Sequence, residues 1–403
     1  MTISSNQRAT VGSRIAPMCA LAIVCCIFST NHLRADELDD AKKAFASKNY
    51  SVAFPIFQKL ANKGIAQAQA KLGEMYGAGF GVEENSCTAV KWYRAAAEQG
   101  NADGQYGIAV HYQYGTCLPW DNKLAYKWAL AAAEQGHDDA QVIVGWCYEN
   151  GMGVERNYDA AKQWYSKAAM QGNEEGQFNL AEMLMYGDQQ GKNSDENEAI
   201  KLYTSSAEKG FANAQYALGN YYGIPGHKDV EKQLKWLTAA AQQGVRDAQT
   251  QLGWIYYTPQ IGVQRDYELA LKWYKAAALQ SSPDAEWSLG NMFLDGAGVV
   301  KDYKMAAFWY SKAARHGHAG AQNYLGYLYQ EGRGVAQNFV LSYIWYNIAA
   351  ANADGLSISV TDDQEVLKKH RDDAADKLTK EQLSRAQEFA TRCMKTKFKE
   401  CEE

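Results

Sequence analysis

Three sets of residues in this chain have the types that carry chemistry. Ser206 and Lys209 stand in the S-x-x-K spacing of an acylating serine and its activating lysine. The histidines at 32, 111, 137, 227, 316, 318 and 370 are candidate bases or metal ligands. The cysteines at 19, 25, 26, 87, 117, 147, 393 and 401 are candidate nucleophiles, ligands or cross-links. Each set is weakened by what surrounds it. The serine and lysine have no S-D-N or K-T-G partner, and Lys209 takes a place that Gln99 and Gln135 fill elsewhere. No two histidines have the i, i+4 spacing of a zinc helix, and His316 and His318 flank a turn glycine. There is no C-x-x-C, no G-x-S-x-G and no Walker or dinucleotide loop. No catalytic residue, metal or cofactor is expected.

The first 35 residues differ from the rest. Arg8 and Arg14 precede an apolar run from Ile15 to Phe28, broken by Pro17, and a short polar stretch ends at Ala35. This is the layout of a secretory signal peptide, with cleavage expected after Ala35; a bilayer span needs about 20 apolar residues. Its removal takes away Arg8, Arg14 and Arg34 and no acid, so the formal charge moves from −5 to −8. An acidic chain disfavours nucleic acid and anionic lipid as partners. Of the cysteines left in an exported protein, pairing is the default. Cys87 and Cys117 fall in neighbouring loops, Cys393 and Cys401 can close a short terminal loop, and Cys147, between Trp146 and Tyr148, is expected to be a buried free thiol.

What positions these residues is a repeat. Gln69, Gln105, Gln141, Gln177, Gln215, Gln249, Glu286 and Gln322 follow one another at 34 to 38 residues. Such a period points to a solenoid whose units bury their apolar faces only against neighbours. Within one unit the three-and-four spacing of apolar residues resolves two amphipathic helices, the first ending at Gly151 and Gly153, the second capped by Asn157 or Asp159. Gly73, Ala109, Gly145, Ala181, Gly219, Gly253, Gly290 and Gly326 form a column of small residues, which implies close helix crossing. Trp92, Trp128, Trp164, Trp236, Trp273, Trp309 and Trp345 are expected opposite them, as core.

The frame A-Q-x-x-L-G-x-x-Y-x-x-G-x-G-V-x-x-D-Y-x-x-A-x-x-W-Y-x-x-A-A-x-Q-G resembles the Sel-one-like repeat, a helix-pair relative of the tetratricopeptide repeat. Ala68, Gln69, Leu72, Gly73, Tyr76, Gly79, Gly81, Val82, Ala89, Trp92, Tyr93, Ala96 and Gly100 carry it in the first unit, and Asp302, Tyr303, Trp309, Tyr310, Ala313 and Gly317 in the seventh. The resemblance implies an all-α, right-handed superhelical solenoid. The expected division is a signal peptide at 1–35, a capping helix pair at 36–65, eight repeats at 66–353 and capping helices at 354–403, with a capping box at Thr379 and Gln382 and a connector at 353–364. It also implies a scaffold or adaptor for a protein or peptide partner. Some secreted, cysteine-rich members are described as weak β-lactamases or penicillin binders, which keeps a cell-wall-peptide hydrolase as the alternative.

Two columns of the first helix lie off the core stripe. Ala70, Tyr106, Val142, Phe178, Tyr216, Thr250, Trp287 and Asn323 follow the repeat's glutamine and are expected to fill the gap to the next unit. Four residues later stand Glu74, Val110, Trp146, Glu182, Asn220, Trp254, Asn291 and Tyr327. First helices line the concave side of such a stack, so Trp146, Trp254, Tyr327, Asn220, Asn291 and Glu182 are the candidate binding residues. An exported, periplasmic or secreted monomer is expected, or one in the lumen of the endoplasmic reticulum.

Overall fold

The computed structural model describes residues 36–187, 195–259, 262–352, 364–398 and 401. The expected signal peptide, 1–35, and the connector residues 353–363 lie outside them. The described chain is all-α and divides into two compact units, Met1–Ala199 and Ile200–Glu403.

In the first unit, α1 (36–46) and α2 (Tyr50–Asn62) precede α3 (Ala66–Ala78), α4 (Ser86–Ala97), α5 (Ala102–Tyr114), α6 (Asn122–Ala133), α7 (Asp138–Asn150), α8 (Tyr158–Met170) and α9 (Glu174–Tyr186). The division between the units falls within α10 (Glu196–Glu208). The second unit continues with α11 (Ala212–Tyr221), α12 (Val230–Gln242), α13 (Arg246–Tyr257), α14 (Tyr267–Ala278), α15 (Pro283–Asp295), α16 (Tyr303–Arg315), α17 (Ala319–Glu331) and α18 (Phe339–Asn352). Helices α19 (Gln364–Ala375) and α20 (Lys380–Lys395) pack on α18.

Odd-numbered helices from α3 to α17 are first helices of a pair and even-numbered ones second helices. Short polar side chains set their starts. Asn157 accepts from the Ala160 amide at the head of α8, and Asp266 from Leu269 at the head of α14. Thr379 and Gln382 form the capping box of α20. The first helix stops at a glycine in the left-handed region, as at Gly151 with φ 70°. Two residues on, Gly153 has φ 76°, and a Cβ there would strike the Asn122 carbonyl of the preceding pair. That glycine therefore serves both the turn and the stacking of pairs.

The small-residue column does bring the paired helices close, but its partner is not the tryptophan. A Cβ on Gly145 would lie 2.6 Å from Tyr165, on Gly253 2.5 Å from Tyr274, and on Gly290 2.5 Å from Tyr310. The expected Trp–Gly pairing is thus corrected by one residue: the residue after the tryptophan faces the glycine, a tyrosine in most pairs and Leu237 against Gly219. One step along a helix is about 100° of rotation, so the tryptophan points to the flank of the crossing. Trp164 is half-buried there, whereas Tyr165 is fully buried. In the second pair, where the column holds Ala109, the tyrosine is replaced by Ala129, keeping the combined volume small.

The repeat's glutamine ties one pair to the next. Gln141 donates to the Ala133 carbonyl at the end of the preceding second helix (3.3 Å) and accepts from Gln171 of its own second helix (2.9 Å). Gln99 with Gln69, Gln135 with Gln105, Gln243 with Gln215, Gln280 with Gln249 and Asn352 with Gln322 repeat this bond at 2.6–3.0 Å. The repeat's glutamine is buried at each of these rungs, so leaving its amide unpaired would cost about 1–3 kcal/mol.

Within each unit, successive first helices touch, α3 with α5 and α7 with α9 in one, α13 with α15 and α15 with α17 in the other. Successive second helices of the repeats make no equivalent contact among the described residues. Disulfides join Cys87 to Cys117, with Cα atoms 5.2 Å apart, and Cys393 to Cys401, with Cα atoms 4.9 Å apart. Cys147 is free and buried, and burial pushes its thiol up to about 12. Among the described residues no helix is long and apolar enough to cross a membrane.

Candidate functional site

The S-x-x-K pair sits on α10, where Ser206 is fully buried and Lys209 exposed. A serine with no accessible surface cannot meet a substrate, so this spacing is a product of the repeat. The histidines serve structure. His137 caps α7 by accepting from the Ala140 amide through Nδ1, stacks on Tyr106 at 4.5 Å, and places Nε2 3.7 Å from Asp103. His318 does the same at α17, accepting from Ala321, stacked on Trp287 at 5.0 Å and 3.5 Å from Asp284, with burial lowering its pKa below the usual range. His111 bonds the Thr116 carbonyl, His227 stacks on Tyr221, and His370 contacts Asn323.

One group of ligand-type atoms does come together, at His137, Asp138 and Asp139, within 4.8 Å of one another. A search for i, i+4 histidines passes over it because all three are adjacent at a helix start. Protein partners engage it: the imidazole Nδ1 takes the Ala140 amide, and Asn173 donates to Asp138 at 3.1 Å and Asp139 at 2.7 Å. The cluster fastens α7 to the next repeat.

A second departure lies in the glutamine ladder. Glu286, fully buried, takes the glutamine's place, and His316 Nδ1 meets its Oε2 at 2.7 Å. Its Oε1 stands without a hydrogen-bond partner. At the other rungs that position is an amide donating to the carbonyl eight residues back. A carboxylate offers no such proton, so this rung has one bond fewer.

The first of the two off-core columns fills the joint between repeats. Tyr106 stacks on the next unit's cap His137, Thr250 bonds the cap Ser282 at 3.0 Å, and Trp287 stacks on the cap His318. Ala70 and Val142 are buried in the same place.

The second column is on the open face. On α7 the residues Asp139, Ile143, Trp146 and Asn150 recur at four, three and four, and each is exposed or half-buried while the opposite face is buried. Trp146, Glu182, Asn220, Asn291 and Tyr327 are all half-buried on this face, and Trp254 is 55% exposed. Two are partly committed to the fold. Asn291 accepts from the buried Tyr310 hydroxyl at 2.6 Å, and the Arg333 guanidinium lies 5.6 Å from the Tyr327 ring. At the foot of the same face stand Tyr114 and Tyr186, each 72% exposed. Sequence reading passed over these two because they close their helices, next to the turn glycines, and look like ordinary loop residues.

Comparison with known proteins identifies the repeat. The model of the Sel1 repeat matches eight consecutive segments, 66–101, 102–137, 138–173, 174–211, 212–245, 246–282, 283–318 and 319–354. The crystal structure of c5321, a protective antigen of uropathogenic Escherichia coli strains with an SLR fold, is 31% identical over 93% of this chain and 86% of its own, with a TM-score of 0.49. A Sel1 repeat protein from Oxalobacter formigenes is 31% identical over 60% of this chain and 99% of its own, with a TM-score of 0.54. Immunity protein Pa5087 from Pseudomonas aeruginosa is 24% identical over 53% of this chain and 81% of its own, with a TM-score of 0.37. No curated protein matches the sequence. Sel1 repeats generally mediate protein–protein interaction. The joints, the turns and the amide ladder account for the frame that all eight segments share, and by that frame the chain belongs to the Sel1 repeat family.

Proposed function

We propose that the chain is an exported, non-catalytic scaffold that holds a protein or peptide on the open faces of its first helices. The observation that carries this reading is Trp254, 55% exposed in a column where the fold needs no large side chain. Aromatic area held rigidly on a helix and open to solvent is what the centre of a protein interface uses. Two disulfides and the leading apolar run support an oxidising destination outside the cytoplasm. The burial of Ser206 speaks against the S-x-x-K pair as an acylating site.

Photo-cross-linkers placed at 146, 254 and, as control, at exposed Gln163 on α8 test the reading. Discrete protein adducts are expected at 146 and 254 only. The double variant Trp146→Ala/Trp254→Ala is expected to lose those partners while its melting curve moves by less than about 0.5 kcal/mol. Equal adducts at all three positions, or none, would sink the proposal.

A further inference from the structure

The open faces of α5, α7 and α9 combine exposed acids with aromatic side chains. Exposed Tyr114 and Tyr186 and half-buried Trp146 stand on three first helices of the same unit. No lysine or arginine occurs on any of the three helices. Their carboxylates form a row. Asp103, Asp139 and Glu175 occupy the same position of successive first helices, 36 residues apart, and all three are exposed. Glu182 extends the row along α9. Carboxylates in a first turn favour the helix dipole, which accounts for one acid per helix start. It does not account for the doubling to Asp138 with Asp139 and Glu174 with Glu175.

The field of this row is felt by its neighbours. Burial, and then Asp139 and Glu174, push the Glu175 carboxyl above its usual range. Burial, followed by Asp139 and Glu175, pushes the Tyr106 hydroxyl up to about 12. Elsewhere the protein covers its own aromatic faces with cations: Lys167 lies 3.6 Å from the Trp164 ring, Lys235 4.4 Å from Trp236 and Lys272 4.8 Å from Trp273. Helices α5, α7 and α9 themselves carry no lysine or arginine that could do the same.

We propose that this face seats an extended polypeptide segment with a lysine or arginine at every third residue, its basic groups meeting the row at Asp103, Asp139 and Glu175. The spacing follows from geometry. Packed helices such as α7 and α9 lie about 8–10 Å apart, and an extended chain advances about 3.3–3.6 Å per residue, so three residues carry one basic group from Asp139 to Glu175. Trp146 stands seven residues beyond Asp139 on α7, about 10 Å further along the same face, and offers its ring to the segment's flanking chain rather than to the basic heads. The assignment rests on the scaffold reading above and names its partner's chemistry.

The test is fluorescence anisotropy of labelled peptides on the chain after removal of residues 1–35. The probes are Lys-Ser-Ser repeats, Glu-Ser-Ser repeats, and a peptide of the same lysines gathered at one end. Lys-Ser-Ser is expected to bind, and to weaken about tenfold in Asp139→Asn/Glu175→Gln and again about tenfold between low and high salt. Because Asp139 also holds Asn173, Glu182→Lys is the second variant, with the same direction expected and no cap disturbed. The gathered-lysine peptide is expected to bind at least about threefold more weakly. Equal binding of the Glu peptide, or Lys-Ser-Ser binding that ignores both variants, overturns the proposal. If Lys-Ser-Ser fails while cross-links at 146 persist, the basic partner is wrong and the scaffold stands; loss of the cross-links removes the scaffold itself.

Discussion

The first helices of the two units share a frame and differ in dress. On α5, α7 and α9 the open face is acidic and aromatic and carries no lysine or arginine. On α11, α13, α15 and α17 it is mostly amide, hydroxyl and aromatic: Asn220, Trp254, Asn291 and Tyr327. First-turn acids in both units have close partners, Asp103 with His137 at 3.7 Å and Asp139 with Asn173 at 2.7 Å in one, Asp247 with Arg246 at 3.0 Å and Asp284 with His318 at 3.5 Å in the other. Beneath these faces the columns that pack are the same in both units. The difference teaches that stacking fixes the columns in the crossing and the joint, and leaves one face of each first helix free to vary.

If that division holds, equivalent changes in the crossing should hurt both units alike. Gly145→Leu and Gly253→Leu each drive a side chain into a buried tyrosine, Tyr165 or Tyr274. Each is expected to lower stability by about 3 kcal/mol, read as a shifted urea midpoint. A loss confined to one unit would break the comparison. In the ladder, Glu286→Gln with His316→Gln is expected to raise stability by about 1 kcal/mol in the same assay, because it restores the donor that the rung lacks. A fall would show the Glu286–His316 pair to be the better rung.

The smallest effect separates the faces themselves. The Glu175 carboxyl has a raised pKa in the folded chain, so the fold binds that proton more tightly than the unfolded chain does. Stability therefore falls as pH rises through the raised value and is fully diminished above it. Glu175→Gln is expected to raise the melting temperature at neutral pH by up to about 2 °C, with the gain vanishing in mild acid. The side chain is still exposed to solvent, which keeps the effect small. A gain independent of pH would mean that charge is not its source.

The sequence showed the fold through its period, its turn glycines and its small-residue column, because each reflects contact with the next unit and recurs eight times. The tryptophan was misplaced by one position. Trp164 and Tyr165 are adjacent large aromatics, and spacing alone does not say which of the two meets Gly145. The ladder was visible only as two unrelated glutamine columns, since Gln141 and Gln171 lie 30 residues apart and meet through stacking. Of the candidate face, Trp146 and Trp254 were singled out because their column lies off the core stripe and varies from repeat to repeat. The row of Asp103, Asp139 and Glu175 was missed because an acid in a first turn reads as ordinary capping until its neighbours in space are known.

The amide ladder has a mechanical meaning. Each rung clamps the end of one second helix to the glutamine of the first helix beneath it, so neighbouring pairs cannot swivel without breaking a bond shielded from water. Inside each unit the pitch between repeats is held by side-chain amides as well as by greasy contact, and the open faces keep a fixed spacing.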